Sequence, residues 1–439
     1  MRLDPRYLAC VLAALVSAPA SAQDLTTNDF RVDLTRGPVL GSGRVIGLAG
    51  AMTALAEGVA AAPFNAAAYA SRARWELDRF EWEPAFSLLL GGSYRENDFF
   101  LNGRGEGFGV DDFTFFDVGL RFQLGDVGFG VLVQTQRYGL PDADTTDALV
   151  DANARFRTAH AGLGYGLFRG QLVLGAGLRI VTLRFDARAV ESGASEVLLD
   201  FQGAGLDVGM VLRPDGRSFR VGAALRSAVL SEALVEASDE VQTVLGLPLP
   251  ETVSLPWEAR AGFAWQFGPR RFNPRHVRPK DVHRSVSTAP GGASPLARER
   301  AERYADPGLA GLRALAAHIR DGEPRRYGLV SGEIFLQGAV ANAVGIDAFL
   351  RQESRARGRR TSVGFRLGVE GEPWDDRLQL RAGTYLEPAR YAGERPRIHG
   401  TAGFDVRLFR LWRFDLRAGF TIDGARDYLN WGVGIGVWH

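Results

Sequence analysis

The sequence predicts an all-β chain: a transmembrane outer-membrane β-barrel of about 14 antiparallel strands, preceded by a separate N-terminal segment. Three observations carry that expectation. Apolar and polar residues alternate with period two over most of the chain. Glycine supplies 54 of 439 residues, well above the usual ~7%, and aromatics supply 10%. No apolar run reaches the ~18 residues that a membrane-spanning helix needs.

Residues 1–22 read as a secretory signal. Arg2 and Arg6 precede an apolar core at 7–16, and Ala20-Ser21-Ala22 forms a small-x-small cleavage site before Gln23. The one cysteine, Cys10, lies inside this segment, so the exported chain has no disulfide to draw on. A barrel whose backbone hydrogen bonds all close on themselves supplies stability by another route.

Residues 23–79 form the N-terminal segment. Its centre, 43–58, is built almost wholly of small side chains, which let backbone pack closely on backbone inside a crowded lumen. The glycines at 41–47 do not follow a strand and are spaced one residue too widely for a dinucleotide loop.

Residues 80–439 carry the strand rhythm. In 413–422 the even positions (Phe414, Leu416, Ala418, Phe420, Ile422) are apolar, while the odd ones carry charge, glycine or hydroxyl. The same split recurs in 219–226, 257–267, 361–370, 377–386 and 401–408. These runs have the length of a tilted strand crossing a bilayer, about 9–11 residues. Segments near 80–91, 112–124, 126–138, 153–168, 171–186, 200–212, 217–230, 255–267, 328–350, 361–370, 377–387, 398–409, 413–422 and 429–438 make fourteen, with Ala339-Val340-Ala341-Asn342 a possible break in the ninth. A soluble sandwich also alternates. Strand length, arginine on the wet face and the alternation of short turns (Gly125-Asp126, Arg213-Pro214-Asp215-Gly216) with long polar loops favour the barrel.

Residues 268–327 interrupt the rhythm with a Pro/Ser/Gly stretch and two helical patterns near 296–305 and 308–320. Strand counting puts this insertion on the short-turn, periplasmic rim, either as a solvated excursion or as a docking site for a periplasmic partner. At the chain end Leu429, Trp431, Val433, Ile435 and Val437 alternate with asparagine and glycine, the pattern of a final barrel strand.

Charge and motif content narrow the function. Basic and acidic residues balance at 52 to 51, giving no field for nucleic acid, and Lys280 is the only lysine. There is no Gly-x-Ser-x-Gly elbow and no His-Glu-x-x-His pair, and the histidines are scattered, so neither an enzyme nor a metal or other cofactor is expected. Charges of mixed sign on the wet face, such as Glu258/Arg260, Arg366/Glu370 and Asp415/Arg417, suggest ion pairs bracing a lumen rather than an open general porin.

Gly43, Arg44, Gly47, Gly50 and Ala51, followed by Asn65-Ala66-Ala67, resemble the N-terminal signature of the FadL-like outer-membrane transport proteins. That superfamily includes fatty-acid and hydrocarbon transporters and the barrel subunit of type 9 secretion. The likeness extends to 159–185, 204–226 and 255–263. The resemblance implies that 23–79 is a hatch plugging a fourteen-stranded barrel, with Gly43, Arg44, Gly47, Gly50, Ala51 and Asn65 as hatch residues. It further implies diffusion of hydrophobic small molecules across the bacterial outer membrane, in contact with outer-membrane lipid. A barrel that binds or shuttles exported proteins is the alternative.

The loop 231–253 begins polar, yet it carries Leu234, Val241, Val244, Leu245, Leu247 and Leu249. Exposed apolar clusters mark binding surfaces, and in the resembled transporters the equivalent loop receives incoming lipid. These six residues are the expected first ligand contacts.

Overall fold

A computed structural model of the protein describes residues 24–71, 80–93, 98–103, 111–140, 149–189, 195–231, 241–244, 247–273, 326–375, 377–411 and 414–438. Among them fourteen antiparallel strands close a barrel. In chain order these are β1 (Phe80–Ser93), β2 (Asp111–Leu124), β3 (Val127–Leu140), β4 (Leu149–Leu167), β5 (Leu172–Ala189), β6 (Ser195–Leu212) and β7 (Phe219–Arg226). They continue as β8 (Glu258–Phe267), β9 (Gly328–Gln337), β10 (Ser362–Trp374), β11 (Leu378–Glu387), β12 (Arg397–Leu411), β13 (Phe414–Ala425) and β14 (Tyr428–Trp438). Pairing of β1 with β14, from Phe86↔Val437 to Ser93↔Asn430, closes the ring and leaves no free sheet edge along that seam.

The period-two pattern decides which face is which. On β10, Val363, Phe365, Leu367 and Val369 point outward with 55%, 42%, 41% and 44% of their surface exposed, while Glu370 between β9 and β11 is buried in the lumen. The same outward run appears on β8 with Phe263, Trp265 and Phe267, and on β14 with Trp431, Val433 and Ile435. A contiguous apolar belt of this kind is foreign to a soluble sandwich and suits a lipid contact.

Short turns gather on one rim. Gly125 and Asp126 join β2 to β3, with Gly125 at φ 61°, the left-handed conformation that a two-residue hairpin asks of its first residue. Residues 168–171 and 213–218 join the next two pairs on the same rim. The insertion expected at 268–327 leaves from this rim too, but 274–325 lie outside the described residues, as does the signal 1–22.

Three expected barrel segments are shorter than their sequence patterns. The run 328–350 is not one strand: β9 ends at Gln337, and the chain turns at Asn342 (φ 50°), whose Nδ2 donates to Asp29 O at 2.6 Å. The continuation, Ala343–Gly345, leaves the wall and lies parallel to Arg31–Asp33. Likewise 217–230 contains β7 and a separate Val229–Leu230, and 255–267 begins only at Glu258, after Pro256 and Trp257. The pieces detached from the wall join the N-terminal Arg31–Asp33 and loop residues in an inner five-stranded sheet, ordered Ala356–Arg357, Ala343–Gly345, Arg31–Asp33, Thr252–Leu255, Val229–Leu230. The strand count remains fourteen because Ala343–Gly345 and Val229–Leu230 continue strands already counted, and the other pieces lie in the N-terminal segment or in loops.

This inner sheet sits at the long-loop rim over an apolar core that includes Phe30, Val32, Phe99, Val253 and Phe349. From it the N-terminal segment descends the lumen through a short helix, Gly43–Gly47, to 3-10 turns at Val59–Ala61 and Ala66–Ala70 beside the short-turn rim.

Candidate functional site

The lumen is occupied by the chain's own N-terminal segment, and wall glycines explain how it fits. A Cβ at Gly128, Gly175, Gly209 or Gly222 would stand 1.9, 2.1, 1.9 and 2.4 Å from Tyr69 O, Ala66 O, Asn65 Oδ1 and Thr53 O respectively. Only glycine allows the segment, three times by its backbone and at Gly209 by the Asn65 side chain, to approach the strands this closely. The glycine excess is therefore partly a docking track for residues 53–70.

The six N-terminal residues singled out by the sequence all meet the wall. Arg44 binds Glu370 of β10 through Nε and Nη2, each at 2.8 Å, and Glu57 at 3.2 Å. Glu57 also accepts from Arg220 of β7 at 2.8 Å. Burial alone would raise the Glu57 carboxyl, but Arg220 and Arg44 hold it below the ordinary range; burial would lower the Arg44 guanidinium, but Glu370 and Glu57 hold it up. Gly47 O accepts from Thr401 Oγ1 at 3.2 Å, and Ala51 O accepts from Ser331 Oγ at 2.6 Å. Gly50 turns the chain at φ 75°, with Val39 and Arg366 about its α-carbon.

Asn65 is the most fully engaged. Its Nδ2 donates to Thr53 O at 2.8 Å and to Met210 O of β6 at 3.0 Å, while Oδ1 accepts from Ala67 N at 3.0 Å and caps the 3-10 turn. Gly43 is the least constrained, its added Cβ meeting Thr421 at an ordinary 3.4 Å.

The loop residues are more dispersed. Leu234 and Leu245 lie outside the described residues. Thr243–Val244 pairs with Leu247–Pro248 in a small hairpin, Val241 is exposed and Leu249 is half-buried. Asn28 ties this loop to the inner sheet, donating to Gln242 O and Leu249 O at 2.8 Å each.

A cavity of about 190 Å³ runs beside the N-terminal segment, from Gly43 and Arg44 toward Arg270 and Arg271 on the short-turn rim. It exists because the facing lumen positions of β1, β13 and β14 are small: Ala85, Ser87, Gly419, Gly434 and Gly436. Ion pairs frame it, including Arg121 with Glu83 at 2.6 Å.

Sequence reasoning missed Glu57, which joins Arg44 of the segment to Arg220 of the wall, and it missed the docking glycines. The latter carried a legible signal: glycine repeatedly occupies the wet phase of strands where barrel lumens usually carry polar side chains.

A closed fourteen-stranded barrel with an apolar outer belt has the architecture of the outer-membrane barrels, and this one holds its own N-terminal segment inside the lumen. Its fold is that of the CymD monoaromatic hydrocarbon channel, to which the chain is 9% identical over 91% of its own length and 97% of that protein, with a TM-score of 0.50. A FadL homologue of Pseudomonas aeruginosa is 12% identical (93% and 98% covered, TM-score 0.48), as is the Pseudomonas putida toluene transporter TodX (92% and 99% covered, TM-score 0.48). No protein-family model and no curated protein matches the sequence.

Proposed function

We propose that the protein is an outer-membrane channel that passes hydrophobic small molecules by diffusion past a hatch formed by residues 23–79. The observation that carries this reading is the cavity beside the segment. At about 190 Å³ it is somewhat larger than the ~150 Å³ engineered cavity known to admit benzene. The fold shared with a monoaromatic hydrocarbon channel supports the same reading. A barrel that shuttles exported proteins draws no support from a lumen so filled.

On this reading the inner sheet closes the outer mouth, and the six apolar loop residues, Leu234 to Leu249, are where a ligand first lands. The short-turn rim faces the periplasm, where the insertion 268–327 is available to a periplasmic partner. Flux of toluene into proteoliposomes tests the proposal. Protein-dependent flux supports it, and flux equal to that of empty liposomes contradicts it.

A further inference from the structure

One row of lumen positions crosses the cavity wall: Arg417 on β13 pairs with Gly436 on β14, which pairs with Ser87 on β1, which pairs with Asp117 on β2. The two charged ends are 6% and 2% exposed. Three strand spacings, about 14 Å, separate their backbones. Between them stand only a glycine and a serine.

Both ends have unspent hydrogen-bonding capacity. Arg417 Nε and Nη1 find no acceptor among the described residues, nor does Asp117 Oδ1 find a donor. The nearest carboxylate to Arg417, Asp415, is 3.7 Å from Nη2 and already accepts from Arg410 at 2.7 Å. Arg407 stands 3.7 Å from the same carboxylate, so Asp415 does not neutralise Arg417 by itself. Buried polar atoms are ordinarily satisfied, and because both side chains line the cavity, a small rotation of each would bring these atoms to a partner lying between them. Overall the cavity is lined by seven arginines and four carboxylates, an excess of positive charge.

We propose that this row binds a small bifunctional organic acid, its carboxylate on Arg417 and a hydroxyl or amino donor on Asp117. This deepens the channel reading and rests on it for its place in transport. A guanidinium N–H makes a charge-assisted bond to a carboxylate, the acceptor oxygen of Asp117 suits a donor, and the small residues between them leave room for one ring. The cavity therefore recognises the polar ends of a solute whose body is apolar.

Titration calorimetry of the purified full-length protein in detergent, with 4-hydroxybenzoate, benzoate, phenol and toluene as probes, tests the site. The expected result is that 4-hydroxybenzoate binds at least tenfold more tightly than the other three. Arg417→Met should weaken both acids at least tenfold and leave phenol unchanged, and Asp117→Ala should abolish the preference for 4-hydroxybenzoate over benzoate. Ser87→Phe, which fills the row without altering either charge, should remove binding while the protein keeps its heat-modifiable mobility. Unchanged acid binding in Arg417→Met, or toluene binding as tight as that of 4-hydroxybenzoate, would overturn the proposal. If acid binds but no probe crosses proteoliposomes, the site stands and the channel reading falls. If toluene crosses and acid does not bind, the site falls alone.

Discussion

Arg44 grips Glu370 through two parallel hydrogen bonds, Nε to Oε2 and Nη2 to Oε1, both 2.8 Å, joining the N-terminal segment to β10. Glu370 also accepts from Arg381 Nε at 2.7 Å, so losing Arg44 would not leave the carboxylate alone. Arg44→Met should therefore cost about 1.5–3 kcal/mol, the scale of hydrogen bonds to charged groups. It should also raise the ionic conductance of single barrels in planar bilayers, read against the parent protein.

The docking track gives a paired test. Gly175→Ala places a methyl 2.1 Å from Ala66 O, whereas a Cβ at Gly400 meets nothing within 4 Å. The first should cost about 1–3 kcal/mol by overpacking and make residues 53–70 more accessible to protease. Gly400→Ala should do neither.

Acid should loosen the segment. With its folded pKa held below the unfolded value of about 4.3, Glu57 contributes stability that is fully present above that pH and is lost as pH falls through the folded pKa. Asp33 in the inner sheet behaves alike: burial raises it, but Arg390 and Arg357 lower it further. The contribution of these two carboxylates to the urea midpoint should be constant above about pH 5 and be lost below about pH 4. Glu57→Gln should be less stable than the parent at pH 7 and closer to it at pH 3.

The outer belt should tolerate charge according to depth. Leu367 is central in the apolar run of β10, whereas Phe267 ends β8 next to the short-turn rim. Leu367→Arg should cost about 2–4 kcal/mol in lipid vesicles and Phe267→Arg about 0–1. Equal costs at the two positions would mean that the belt is not a membrane contact.

The wall was legible in the sequence because a barrel imposes one rule at every residue: apolar out, polar in. Val363 to Glu370 obeys it with Arg366 and Glu370 inward, glycine taking the other two inward places, and all fourteen strands could be found by it. The inner sheet was not legible, since Arg31–Asp33 and Ala343–Gly345 are three residues each and pair across more than 300 positions. Pattern also overran the wall at 337, because Val340 and Val344 keep an apolar look while serving the inner core rather than lipid. Of the candidate site, Arg44 and Asn65 stood out only through the resemblance to the FadL-like N-terminal signature. Glu57 did not, because a lone acid in an alanine-rich stretch says nothing about the two arginines that reach it from elsewhere.

The central claim, that solute diffuses past the hatch, is most directly tested by bridging hatch to wall at Gly43 and Thr421, which both line the cavity. An added Cβ at Gly43 lies 3.4 Å from Thr421 Cγ2, so side chains at the two positions touch, and no cysteine follows Cys10 to compete. In Gly43→Cys/Thr421→Cys, toluene flux into proteoliposomes should fall at least tenfold when the disulfide is formed and return on reduction. Parental flux through protein whose disulfide is shown to be complete would contradict the account.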